Sequence, residues 1–120
     1  MKLEIKNIDC MGCDFHSLTN EEYEYFHEVI TVSIGFENKV GADDFTVYVY
    51  TVKWLDMNLS LPILGKSSII MKNFNIKDFH NYINSILDQC NHLPFNSEES
   101  ALKIVAQYFD WEFENYTKNV

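Results

Sequence analysis

Residues 26–36 read FHEVITVSIGF, and residues 45–52 read FTVYVYTV. Both runs alternate with period two and are rich in β-branched and aromatic side chains, the pattern of half-buried strands. A strand starting near Glu24 puts Phe26, Ile30, Val32, Ile34 and Phe36 on one face, interrupted only by Glu28. Its other face carries Tyr25, His27, Val29, Thr31 and Ser33 and is wetter. In the second run Phe45, Val47 and Val49 share one face, and Tyr48 and Tyr50 share the other. Residues 37–44, ENKVGADD, read as the turn between them. So short a connection makes the two runs an antiparallel hairpin. Its register gathers Tyr25, His27, Tyr48 and Tyr50 on one open face, with Asp43 and Asp44 at the rim.

Upstream of the hairpin, residues 2–9 alternate and read as a first strand, and residues 10–20 as a loop. Thr19 to Glu22 has the residues of a capping box for a short helix, but the strand starting near Glu24 is the preferred reading. Downstream, Lys53 to Lys66 is a long connection, followed by a strand over Ser68–Phe74. Two helices then close the chain. Asn75 is an N-cap, and Ile76, Phe79, Ile83, Ile86, Leu87 and Cys90 follow at helical spacing. Pro94 separates this helix from the next, which Ser97 caps. In that last helix Leu102, Val105, Phe109, Phe113 and Tyr116 line one side, while Ile104, Tyr108 and Trp111 line nearly the opposite side. Two apolar stripes need two neighbours, which the sheet and the long connection supply. Otherwise the second stripe meets a partner chain, or the helix ends near Phe109 and the tail is extended. Strands first and helices last predict an α+β fold in one domain over residues 1–120. Its antiparallel sheet has about four strands, and the two C-terminal helices pack on one face. The other face is left to water.

Composition narrows the function. The chain has 120 residues, 47% of them hydrophobic, which excludes disorder. Eighteen Asp and Glu oppose nine cations, all lysine, for a net charge of −9. A chain without arginine or a basic face does not bind nucleic acid, and a polybasic membrane anchor is excluded for the same reason. A basic protein partner is compatible with the charge, as is plain solubility. No apolar run reaches the roughly 20 residues of a membrane span. The first residues lack a signal-peptide core, and the expected compartment is the cytoplasm.

Chemistry-bearing patterns are sparse. Cys10-Met11-Gly12-Cys13 has CxxC spacing, and His16 follows three residues later. A structural zinc site needs about four N or S ligands, and the second pair is missing. A thioredoxin-type site would need a helix directly after the motif. The thiols therefore read as structural or incidental, and a metal-binding or thiol redox protein is the alternative. No phosphate loop, dinucleotide fingerprint or HExxH occurs, so neither an enzyme nor a cofactor is expected. The open-face tyrosines are the stronger lead, because tyrosine is enriched at interface centres.

Two segments also carry a resemblance. Residues 44–55, DFTVYVYTVKWL, form a strand ending in Lys-Trp-Leu, and residues 108–116, YFDWEFENY, close the chain. In this order around the Asn75–Cys90 helix, from about Phe26 to Tyr116, they resemble the immunity protein 8 family of bacterial polymorphic-toxin systems. The Cys10–His16 loop is not part of that pattern. The resemblance implies function by binding and neutralising a cognate toxin domain, with no catalytic residues. Trp54, Trp111, Glu112 and Phe113 match its motif and read as fold-holding, with Trp54 beneath Trp111 and Phe113 on the core stripe. The acidic charge suits a basic toxin, a nuclease being one candidate, met by a monomer or a homodimer. Tyr48 and Tyr50 lead the candidate interface, then Tyr25, and the competing surface is Ile104, Tyr108 and Trp111.

Overall fold

The computed structural model describes residues 2–60, 62 and 65–112. The elements run β1 (Leu3–Asp9), α1 (Asn20–Glu24), β2 (His27–Phe36), β3 (Asp43–Thr51), α2 (Val52–Asn58), β4 (Ser68–Met71), α3 (Ile76–Asn91), α4 (Glu98–Val105) and β5 (Asp110–Trp111). β2 and β3 form the expected antiparallel hairpin, with His27 opposite Tyr50 and Ile34 opposite Asp43. Gly41 turns the chain between them at φ 101°. Gly35 has no room for a side chain, since a Cβ there would sit 2.5 Å from the Gly41 carbonyl oxygen. β1 pairs antiparallel with β2 and bulges between Ile5 and Asn7.

The apolar stripes meet where alternation puts them. Ile30, Val32, Ile34, Phe45, Val47 and Val49 are fully buried, sharing one core with Phe79, Ile83 and Leu87 of α3 and with Ala101, Leu102 and Val105 of α4. Asn75 caps α3 by accepting from Lys77 N at 2.9 Å and Asp78 N at 3.1 Å. Ser97 caps α4 by accepting from Ser100 N, and the Ser100 hydroxyl accepts from Ser97 N in return. At the start of β1 the Asn91 amide of α3 stands in for a missing strand. It accepts from Leu3 N at 2.9 Å and donates to Leu3 O at 3.1 Å. The fold is α+β, with the C-terminal helices against one face of the sheet.

Three local expectations are corrected. The capping box at Thr19 does open a helix, α1, and β2 starts at His27. Phe26 is still buried, with its ring stacked 4.1 Å from that of Phe74. The long connection after β3 contains α2, and this crossover lets β4 join β3 in parallel, Tyr48 beside Ser68 and Thr51 beside Met71. Thr51 occupies the N-cap position of α2 without capping it. Its hydroxyl is engaged elsewhere, accepting from Phe26 N at 2.9 Å and donating to Phe26 O at 3.3 Å.

The last helix is the third correction. α4 ends at Val105, and β5 lies antiparallel to β3, with Trp111 opposite Phe45 and Asp110 opposite Thr46. The second helical stripe therefore does not form. Trp111 is 5% exposed, stacked on Phe45 at 6.2 Å, and its Nε1 donates to Asp43 Oδ1 at 3.2 Å. Glu112 is exposed. Phe113 and Tyr116, expected on the core stripe, lie outside the described residues.

Candidate functional site

The sheet face away from α3 and α4 is a register of short rows. His27, Tyr50 and Ile70 make one row, and Val29, Tyr48 and Ser68 the next. Asp9, Thr31, Thr46 and Asp110 follow, then Asn7, Ser33 and Asp44. Tyr48 is half-buried, flanked by Val29 at 46% exposure and with Ile70 at 60% on the same face. The carboxylates Asp9, Asp44 and Asp110 border this apolar centre along one side, Asp110 paired with Lys66 at 3.6 Å, and Asp44 accepts from the Ser33 hydroxyl at 2.6 Å. An apolar centre inside a polar rim is the usual anatomy of a protein interface.

One end of this face is not open. α2 folds back over it, and Trp54 packs on His27 at 4.4 Å and on Tyr50 at 5.6 Å. His27 and Tyr50 stack on each other at 4.4 Å, nearly parallel. Tyr25 lies beside this cluster, its hydroxyl accepting from Asn58 Nδ2 at 2.7 Å. Lys53 of α2 pairs with Glu24 of α1 at 3.8 Å. Trp54 is thus far from the predicted place beneath Trp111, because the two rings serve opposite faces of the sheet.

The cysteine loop lies against the same end. Cys13 donates to Cys10 Sγ at 3.2 Å, and Cys10 donates to Glu28 Oε2 at 3.8 Å. Burial pushes the Cys13 thiol up to about 12, helped by the Cys10 hydrogen bond and by the nearby Cys10, Glu28 and Asp14 charges. Disulfide exchange proceeds through thiolate, which this environment opposes at Cys13. His16 is exposed, and its backbone N–H donates to Asp14 Oδ1 at 3.0 Å, which holds that carboxyl below its usual range. Among the described residues no three His, Cys, Asp or Glu side chains are grouped to hold a metal. Nothing in the loop favours the metal or redox alternative.

The model of a family described as immunity protein 8 matches residues 3–116. The chain belongs to the immunity protein 8 family. No curated protein and no solved structure matches it. The immunity protein 8 match takes in the Cys10–His16 loop as well as the two segments that carried the resemblance. Among the described residues no helix is long and apolar enough to cross a membrane.

In this immunity protein 8 chain the structure brings His27, Tyr48 and Tyr50 onto one sheet face and sets Tyr25 beside its covered end. It separates the two turn aspartates. Both belong to β3, Asp44 on the open face and Asp43 on the core side against Trp111. The competing surface dissolves, since Trp111 is buried and only Tyr108, at 38%, counts as exposed. Val29 and Ile70 carry no signal of a site in the sequence, because a lone exposed aliphatic acquires meaning only once its neighbours across the sheet are known. Ser67 carries none either. It is 3% exposed at φ 64°, with its hydroxyl donating to Thr46 O and accepting from Asp110 N at 3.0 Å. It thereby ties β5 to β3.

Proposed function

We propose that this protein is an antitoxin that neutralises one cognate polymorphic-toxin domain by occupying it, in a one-to-one complex formed in the cytoplasm of the producing cell. It acts by binding, without turnover. Membership of the immunity protein 8 family across residues 3–116 carries this reading. The toxin is basic, a nuclease being the class that best matches an acidic inhibitor of net charge −9. The uncovered part of the sheet face, centred on Val29, Tyr48 and Ile70, is the contact surface, with Asp9, Asp44 and Asp110 as its rim. Tyr50 and Tyr25 contribute from the end beside α2.

The test starts from the neighbouring genes, where a cognate toxin domain is sought and then expressed. Coexpression should rescue growth, and calorimetry should give a one-to-one complex. Tyr48→Ala, with its fold checked by circular dichroism, should weaken that complex by about 30-fold or more, the behaviour of an interface anchor. Absence of any complex would overturn the antitoxin reading. Unchanged affinity in folded Tyr48→Ala and Tyr50→Ala would move the interface off the sheet face.

A further inference from the structure

The strand path β1-β2-β3-β4 ends in two very different edges. β1 is guarded against pairing with another chain. It bulges between Ile5 and Asn7, its Lys6 pairs with Glu4 at 2.8 Å, and the Asn91 amide closes both backbone groups of Leu3. β4 reads Ser-Ile-Ile-Met, with no charge, proline or bulge. Tyr48 N donates to Ser67 O at 2.8 Å, which sets the phase of the parallel ladder between β3 and β4. Ile69 and Met71 therefore turn their peptide groups toward β3, and Ser68 and Ile70 turn theirs outward. Among the described residues, the Ile70 N–H and C=O, the Ser68 C=O and the Lys72 N–H have no hydrogen-bond partner. Such an edge takes up an extended segment.

The free groups of β4 complement themselves. When two β4 strands lie antiparallel about a two-fold axis at Ile70, each Ile70 N–H donates to the other Ile70 C=O. At both ends of the seam a Ser68 C=O accepts from the other copy's Lys72 N–H. Charge favours the same contact. Two chains of net charge −9 repel, so they meet best where negative charge is locally absent. Residues 57–77 hold three lysines and no Asp or Glu, the longest such gap in the chain, and β4 lies inside it. The register sets each Lys72 opposite a serine and keeps the two Lys72 about 13 Å apart. Apolar surface completes the seam. Ile70, 60% exposed, meets its counterpart on the open face of the sheet. On the other face a groove of about 390 Å³ runs between β4 and α3, lined by Ile69, Met71, Phe79 and Tyr82, and Tyr82 is 52% exposed.

We propose that this protein forms a two-fold dimer by antiparallel pairing of β4, with one sheet running through both copies. The guarded β1 strands become the two ends of that sheet, so assembly stops at two. The proposal is independent of the antitoxin reading, because the dimer is measured without toxin. Sedimentation velocity on the full chain, from low micromolar to submillimolar concentration, is combined with amide hydrogen exchange read at Ile70 and Lys72 by NMR. The expected result is a monomer–dimer equilibrium in which both amides gain protection as the dimer fraction grows. Ile70→Lys, with its fold checked by circular dichroism, sets two like charges across the axis and should weaken the dimer at least tenfold. A monomer at every concentration would overturn the proposal, as would a dimer that leaves the Ile70 amide unprotected or is unchanged in folded Ile70→Lys. Growth into larger species would also overturn it. So would an Ile70 amide protected equally at all concentrations, which would mean that the chain covers its own edge. A monomer whose Ile70 amide gains protection only when the toxin domain is added would give the edge to the toxin instead.

Discussion

Ser67 shows how much one side chain can organise. Its backbone sits at φ 64°, where a residue with a Cβ is strained, yet it is buried and hydrogen-bonded on every side. Its carbonyl accepts from Tyr48 N at 2.8 Å, its amide donates to Tyr108 O at 3.1 Å, and its hydroxyl joins Thr46 to Asp110. Ser67→Ala keeps the strain and orphans the Asp110 amide, so urea denaturation should show a loss of about 1–3 kcal/mol. Ser67→Gly relieves the strain and should lose less; the reverse order would mean that the hydroxyl matters little. Cys13 gives a second prediction at this scale. A thiol whose folded value is raised keeps its stabilising contribution below the unfolded value near 9 and loses it as pH climbs toward about 12. Alkylation of Cys13 by iodoacetamide, followed by peptide mass spectrometry, should therefore keep accelerating above about pH 9. A plateau there would show an ordinary thiol.

Among the elements, the two tryptophans report on opposite faces of the sheet. Trp111 pins β5 to Phe45 inside the core, so Trp111→Ala should cost roughly 3–5 kcal/mol. Trp54 is half-buried over His27 and Tyr50, and the lost burial in Trp54→Ala should cost about 1–2 kcal/mol. Equal losses in chemical denaturation would contradict the placement of these rings on separate faces. The helix caps are a smaller effect of the same kind. Asn75→Ala removes the acceptor for two amides of α3 and should cost about 1 kcal/mol.

For the whole molecule, charge distribution and shape divide the work. A net charge of −9 makes a long-range field that steers a basic partner, whereas the apolar centre of the sheet face acts only at contact. Raising salt from about 50 to 500 mM shortens the Debye length from roughly 14 to 4 Å. Surface plasmon measurements with the toxin domain should then show slower association and little change in dissociation. Salt-independent association would remove the electrostatic part of the proposal and leave the contact surface standing.

Periodicity by itself determined the hairpin, the buried stripes and the α3 helix with its Asn75 cap, because each rests on residues near one another in the chain. The α+β class and the family followed from that pattern and from two motifs. The sequence also marked Glu28 as an irregularity, but not what surrounds it. Only the tertiary structure decided the rest. α2 was hidden because Thr51, its cap position, gives its hydroxyl to Phe26, 25 residues away in the chain. The helical spacing of Leu102, Val105 and Phe109 continues past Val105, where the free edge of β3 at Phe45 and Thr46 draws Asp110 and Trp111 into a strand. A local pattern states what a segment can form. Which alternative it takes depends on the hydrogen-bonding edge and apolar surface that distant segments offer, and those exist only after the chain has folded.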